Sequence, residues 1–569
     1  MGLLNGALQI GRSALLTYQS ALQVVGHNIA NAARPGYVRL SAILSGVPGG
    51  RTAEGFQPGN GVAMSALRRN VDEALQARVR TALGDRESVL TERAALGQIE
   101  SILNELTEND LSTLMNEFFG AWADLQTQAQ DIGARRTVLT GGAALAAELR
   151  RQRESVFAMA GEFNARIVEA TDRANELAAE LARLNVQIVA GDAAGTGAGA
   201  LRDRRDALLA ELSEIVRVTT REQPTGAVNV YLGNEPLVFD GISMGLTTET
   251  EVVKGIERVQ VLFAANRMRV DLSGGRLEGL MASRDTHVVG QLEALNELAA
   301  ALIYDVNRVH SSGQGLQWFQ SVTGTYSAAD PTAALNSTTA GLTFPPVNGS
   351  FLIKVRDQAT GTITTTVIQV DLDGITPPPD TSLLDLQAAI GAVPNLTATL
   401  TSDNRLQITA ASGFTFSFAE DSSAALAALG INTFFDGKDA RDIRLNAAVE
   451  GNSQFIAAAT EALAGDGTNA GRLAALGTAA SATLGGVSLL DFYGSMVGTV
   501  AATSSAANSG AEAADVILTS LQAQQESVSG VSLDEEAIAL AKFQRSFQGA
   551  ARYVTVVDEL IAEMLALVR

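Results

Sequence analysis

The sequence contains no cysteine, which excludes a disulfide framework, a thiolate metal site and a cysteine nucleophile. Lysine is almost as scarce: only Lys254, Lys354, Lys438 and Lys542 stand among 41 basic residues. The formal charge of -21 argues against a nucleic-acid partner, because phosphate backbones call for clustered Lys and Arg. Aromatic residues make up only 5% of the chain. The opening stretch MGLLNGALQIGRSALL lacks a basic n-region, and polar residues break up its apolar content. Any export is therefore expected without a cleaved signal peptide. No run is expected to reach the roughly 18 apolar residues of a membrane helix, so membrane insertion is not expected either.

Catalytic patterns are missing too. The three histidines, His27, His287 and His310, lack metal-ligand spacing and any HExxH context. His27 reads as a surface or interface residue, and His310 as a residue that bonds the last carbonyls of its helix. The glycine-rich GDAAGTGAGA at 191–200 has neither phosphate-loop spacing and follows no strand. It reads as a mobile turn between antiparallel helices. Asp371-Leu372-Asp373-Gly374 resembles the start of a calcium loop, but Ser382 occupies the place of the bidentate Glu. No GxSxG elbow stands in a strand–turn–helix context. Catalytic, cofactor-binding and metal residues are therefore assigned as none, no cofactor is expected, and the chain is not expected to be an enzyme.

What is present is apolar periodicity. The 569 residues suffice for several domains, since single cores stop growing at roughly 250–300 residues. Near the N-terminus, Leu4, Leu8, Gly11, Leu15, Tyr18, Leu22, Val25 and Ile29 recur in alternating steps of four and three, a heptad seam on one helix. Near the C-terminus, Leu540, Phe543, Phe547, Ala550, Val554, Val557, Ile561, Met564 and Val568 repeat the pattern. The segment Ser532-Leu533-Asp534-Glu535 starts that helix as a capping box, and its acidic residues complement the helix dipole. A single narrow stripe leaves a lone helix marginal in water. The two seams must therefore pack on a core, on each other or on neighbouring subunits.

Between the ends, helices are expected over 70–105, 111–130, 135–189, 201–216 and 276–310, with hairpin strands over about 218–272. The Thr/Val/Ile-rich FLIKVRDQATGTITTTVIQV and the alternating RLQITAASGFTFSF mark a β-rich insertion at about 321–435, with a short helix at 383–390. A further helix is expected at about 489–525. The expected fold class is α+β in a discontinuous, multi-domain protein. Terminal coiled-coil helices (1–40 and 530–569) flank a long-helix frame with β-hairpins (41–320 and 436–529), and the β-rich outer domain at 321–435 is inserted into that frame.

The stretch SALLTYQSALQVVGHNIANAARPGYVRL resembles the N-terminal signature of flagellar rod, hook and hook-associated proteins, roughly N-I-A-N-x-x-T-P-G-Y-x-R. Asn28, Ile29, Ala30, Asn31, Pro35, Gly36, Tyr37 and Arg39 match it, and Arg34 stands where Thr is usual. Three further stretches narrow the resemblance to the hook-associated proteins of the hook–filament junction. These are LSTLMNEFFGAWADLQTQAQDIGARRTVL, GGRLEGLMASRDTHVVGQLEALNELAAALIYDVNRVHSSG and SVSGVSLDEEAIALAKFQRSFQGAARYVTVVDELIAEML. Other axial proteins, hook or distal rod, fit the C-terminal stretch less well, and an enzyme carried in the insertion is a remoter alternative.

The resemblance implies a non-catalytic structural subunit, extracellular in the bacterial flagellum. It would sit in a ring of its own copies between hook protein and the next junction protein. It also implies terminal helices that lack partners before assembly, and an export chaperone on the C-terminal helix. The assembly seams would be Leu8, Leu15, Tyr18, Leu22, Val25 and Ile29 at one end. At the other end they would be Leu540, Phe543, Phe547, Val554, Val557, Ile561 and Met564, which would also meet the chaperone. Asn28, Asn31, Pro35, Gly36, Tyr37 and Arg39 would form the hinge and its contacts, with Pro35 holding Arg34 extended.

Overall fold

The structure, a computed structural model, describes residues 2–34, 36–48, 59–103, 110–194, 198–375, 379–461, 463 and 465–567. Pro35, Val568, part of the 191–200 loop and the side chain of Leu4 lie outside the described residues.

The chain opens with α1 (Gly2–Asn31), the hairpin β1 (Leu40–Gly46) and β2 (Val62–Arg69), and α2 (Glu73–Leu103). Then come α3 (Leu111–Thr127), α4 (Ile132–Ala193) and α5 (Gly199–Ile215). Strands β3 (Thr219–Glu222), β4 (Val228–Leu232), β5 (Glu235–Phe239), β6 (Ile242–Ser243), β7 (Leu246–Val253) and β8 (Ile256–Phe263) follow. The next helical run is α6 (Arg276–Ala282), a π-helical turn at Ser283–Val288, and α7 (Val289–Ser311). The insertion contributes β9 (Ser321–Thr323), β10 (Gly349–Asp357), β11 (Ile363–Val370), α8 (Leu383–Gly391), β12 (Leu396–Leu400), β13 (Leu406–Ala410) and β14 (Phe414–Ala419). The chain closes through α9 (Ala425–Ala428), β15 (Phe435–Asp436), β16 (Arg444–Leu445), α10 (Ala447–Gly451) and α11 (Thr468–Ala475) to α12 (Leu489–Ser529) and α13 (Leu533–Leu567). The α+β class is what the sequence patterns predict.

Two compact units divide the chain. The first comprises Met1–Arg93, Phe163–Ala282 and Ala506–Arg569. Here α4 and α5 run antiparallel, tied by the ion pairs Arg173–Glu211, Arg204–Glu180 and Arg202–Asp192. The strands are ordered β3-β4-β5-β6 in one sheet and β7-β8 in another. Three asparagines on α4, spaced roughly three helical turns apart, fasten these strands. Asn164 bonds the backbone of Glu257 and Val259, Asn175 both backbone groups of Leu246, and Asn185 both of Val228. Each amide side chain turns an N–H donor and its oxygen acceptor to the strand backbone, so it replaces a missing strand neighbour. Leu75, Val79 and Leu83 of α2 pack with Leu518 and Leu521 of α12.

The second unit comprises Ala94–Glu162 and Ser283–Ser505. Asp110 caps α3 through the Thr113 amide. Phe118 and Trp122 of α3 form a buried aromatic cluster with Phe434, Phe435 and His310. In the insertion, Phe351, Ile353 and Val355 of β10 are buried, as a half-buried strand requires. They share a core with Phe416 and Phe418 of β14 and with Leu386 and Ile390 of α8. Ser382 and Asp385 form a capping box on α8, which accounts for the serine where a calcium loop would place its Glu. Asp371, Asp373 and Asp380 bring carboxylate oxygens within 4.8 Å of one another, all at least partly exposed.

Four sequence expectations are corrected. The helix expected over 276–310 is interrupted by the π-turn at Ser283–Val288, where Arg284 is fully buried and paired with Asp285. The β1–β2 hairpin falls where helical frame was expected. Its strands LSAILSG and VAMSALRR lack strict alternation, and a bulge at Ile43/Leu44 shifts their register. His310 does not cap its helix. Its Nδ1–H donates to the Asn432 carbonyl at 2.7 Å, and Nε2 accepts from the Ala457 amide at 2.9 Å. Finally, the helical stretch Ala482–Met564 does contain an 18-residue window of mean hydropathy 1.2, membrane-like by length and composition alone. Part of this apolarity serves packing, because Leu489, Tyr493, Met496 and Val500 bury one face of α12.

Candidate functional site

The terminal helices pack on each other. The Gly11 backbone approaches Val554 and Tyr553 so closely that a Cβ would overlap Val554. The rings of Tyr18 and Phe543 lie 6.5 Å apart, and Asn28 meets Glu536. As α1 advances from 11 to 28, α13 recedes from 554 to 536, so the two helices run antiparallel and in step.

Seam burial is graded. Val25 and Val557 are buried. Leu8, Leu15, Tyr18 and Leu22 on α1, and Leu540, Phe543, Phe547, Val554 and Ile561 on α13, are half-buried. Ile29 and Met564, assigned to the same seams, are exposed at opposite ends of the pair. At the first end the inward position after Val25 belongs to Asn28 rather than Ile29, because a polar clasp claims it.

Asn28, only 1% exposed, uses its whole amide. Its Nδ2 donates to the Leu40 carbonyl at 2.9 Å and to Glu536 Oε2 at 3.0 Å. Its Oδ1 accepts from the Leu40 amide at 3.0 Å and from the Tyr37 hydroxyl at 2.8 Å. The Tyr37 oxygen also meets His27 Nδ1 at 2.9 Å. With its hydroxyl proton on Asn28, Tyr37 accepts there, so His27 carries its proton on Nδ1. Arg39 pairs with Glu536 at 2.7 Å and with Glu535. The Glu535 carboxylate thus goes to Arg39, while its amide retains a 3.4 Å bond to Ser532 Oγ.

Backbone bonds complete the junction. The Arg39 amide donates to the Ser529 carbonyl at the end of α12, and its carbonyl accepts from Asn70. Asn31 ends α1, its Nδ2 bonding the His27 carbonyl at 2.8 Å. Gly36 takes φ +73°, a left-handed turn that favours glycine.

The clasp borders a cavity of about 420 Å³ lined by Arg34, Tyr37, Arg80, Asp203, Asp206 and Gln525, among others. Arg69 is held by Asp203 and Asp206, each at 2.7 Å. Burial, and then the nearby carboxylates of Asp203 and Glu536, push the Tyr37 hydroxyl up to about 12. It therefore remains a neutral donor at physiological pH. The arrangement can hold two chain ends in a fixed relation. Sequence reasoning missed Glu535 and Glu536 as partners of Arg39, and Arg69 with its aspartates. Their sequence separations of 134 to 497 residues leave no local signal.

Known proteins resemble the chain along nearly all its length. The family described as the flagellar hook-associated protein FlgK helical domain matches residues 96–323. Flagellar hook-associated protein 1 of Escherichia coli (strain K12) is 24% identical, with 99% of each chain covered. The protein of that name from Bacillus subtilis (strain 168) is also 24% identical, covering 98% of this chain and 97% of its own. The chain is thus similar over nearly its full length to proteins named flagellar hook-associated protein 1. A solved structure, the flagellar hook junction protein FlgK from Burkholderia pseudomallei, has a similar fold. Its TM-score is 0.52 at 16% identity, over 80% of this chain and 100% of its own. The segment 28–39 supplies Asn28, Tyr37 and Arg39 to the clasp.

Proposed function

We propose that this chain is a non-catalytic structural subunit joining hook to filament in the bacterial flagellum. Copies of it form a ring. Segments 1–40 and 530–569 line an inner tube, 41–320 with 436–529 form the frame, and 321–435 faces outward. The hook protein lies on one side and the next junction protein on the other. The subunit is exported without a cleaved signal, and a chaperone holds its C-terminal helix beforehand. The clasp acts as a hinge that aims the frame away from the helix pair.

The observation that carries this reading, beside the full-length likeness, is the incompleteness of the helix pair. Antiparallel packing covers one stripe of α13, yet Tyr553, Val556, Leu560 and Met564 remain exposed in steps of three and four. Exposed apolar rows of this kind mark protein interfaces. A non-closing head-to-tail contact repeated through such rows gives a helical assembly.

In a flagellated host lacking its own copy, Phe547→Asp is expected to abolish incorporation into flagella while leaving the folded middle intact. Motility and immunogold labelling of isolated hook–filament complexes measure this. Normal motility would remove the seam assignment, and label along the hook or rod would move the chain to another axial position.

A further inference from the structure

β11 stands at the free edge of the β11-β10-β14 sheet. Edges are normally guarded by lysines, prolines or bulges, because their open backbone groups recruit other strands. The sequence of β11, ITTTVIQV, has no charge, proline or glycine. Its register against β10 runs unbroken from Arg356↔Ile363 to Gly349↔Val370. The β1–β2 and β4–β5 pairings each carry a register shift. Among the described residues, no backbone hydrogen bond joins β11 to anything on its outer side.

The exposed face beside this edge has a definite chemistry. Register places Arg356 beside Ile363, Lys354 beside Thr365 and Leu352 beside Val367, all on one face by strand alternation. Ile363 is 42% exposed and Val367 52%. Residues 321–435 contain nine acidic residues and three basic ones, so an unpaired cation there is unexpected. Arg405 pairs with Asp403. Neither Lys354 nor Arg356 forms an ion pair among the described residues.

We propose that this edge takes an extended, acidic segment of a partner protein, which adds to β11 as a fourth strand. Its backbone fills the open bonds. Apolar side chains two positions either side of a carboxylate lie against Ile363 and Val367. The carboxylate faces Thr365, and the short threonine lets Lys354 reach over it from β10, two strands or about 10 Å away. Arg356 adds to the attraction. A second copy pairing through the same edge would bring no carboxylate to these cations, so charge favours a foreign acidic strand.

The test uses the full chain and two fluorescein-labelled heptapeptides, Thr-Val-Thr-Glu-Thr-Val-Thr and its counterpart with Lys in place of Glu, followed by fluorescence anisotropy. The Glu peptide is expected to bind at least tenfold more tightly, with the advantage shrinking as salt rises. The double variant Lys354→Glu/Arg356→Glu is expected to reverse the preference. Val367→Lys, which guards the edge at an exposed position, is expected to weaken both peptides at least tenfold. Arg405→Glu should bind like the unaltered chain, and circular dichroism checks that each variant is folded. Equal binding of the two peptides, no binding of either, or a preference unmoved by the double variant would overturn the proposal. Dimerisation of the unaltered chain that Val367→Lys abolishes, without peptide binding, would overturn it in favour of a second copy at the edge.

Discussion

The inserted β region and the terminal helix pair solve the same burial problem to different degrees. In the insertion, Phe351, Ile353, Phe416, Phe418, Leu406 and Ile408 are fully buried in a core drawn from two small sheets and α8. In the helix pair, most seam residues are only half covered, and a second row on α13 is left wet. A closed core needs nothing further. A two-helix pair has too few neighbours to surround a side chain, so its remaining apolar surface is covered only when another chain arrives. The difference separates a region that folds for itself from one built to be completed.

The largest expected effect breaks the closed side of that comparison. Phe416→Ala removes a fully buried ring and is expected to cost about 3–5 kcal/mol. Hydrogen exchange should rise across β10 and β14 while α1 and α13 keep their unaltered rates. Denaturant unfolding followed residue by residue would measure both. A matching rise in the terminal helices would mean that the two regions are not independently stabilised.

A second effect, of roughly 3 kcal/mol, comes from a buried base. Burial lowers the pKa of His310 from its ordinary 6.5 to about 4. Between these values the unfolded chain binds a proton that the folded one refuses, so stability falls as pH drops through this window and is flat above it. One pKa unit corresponds to about 1.4 kcal/mol. Protonation would also set an Nε2–H against the Ala457 amide that now donates to it. The difference in unfolding free energy between the unaltered chain and His310→Gln, measured from pH 8 to pH 4, is expected to shrink toward acid. A constant difference would place the proton elsewhere.

How much of this was legible depends on the distance over which residues cooperate. The seams of α1 and α13 and the alternation of β10 repeat within one element, so periodicity alone finds them. His310, Arg135 and the clasp are invisible to it. Arg135 is buried with no carboxylate, its guanidinium spent on the carbonyls of Ala129 and Ile456. Nothing near it in sequence announces that. Asn28 looks like a helix-ending polar residue until Leu40, Tyr37 and Glu536 surround it. The signature 28–39 includes Asn28, Tyr37 and Arg39 of the clasp. It could not say that Glu536, 508 residues away, completes it.

The smallest expected change in stability gives the sharpest test, because it compares adjacent residues. Val556 is 52% exposed and Val557 4%, so one lies on the uncovered row of α13 and the other in the seam against α1. Val557→Ser places a hydroxyl in the pair and is expected to loosen α1 from α13 by roughly 1–3 kcal/mol. This would be read as faster hydrogen exchange along both helices. Val556→Ser loses no contact within the chain and is expected to change stability by less than about 0.5 kcal/mol. It should nevertheless reduce concentration-dependent self-association in sedimentation experiments more strongly than its effect on the monomer can explain. If Val556→Ser leaves association untouched while Val557→Ser abolishes it, the subunits meet through the seam itself. The antiparallel pair would then have to open before a ring could form.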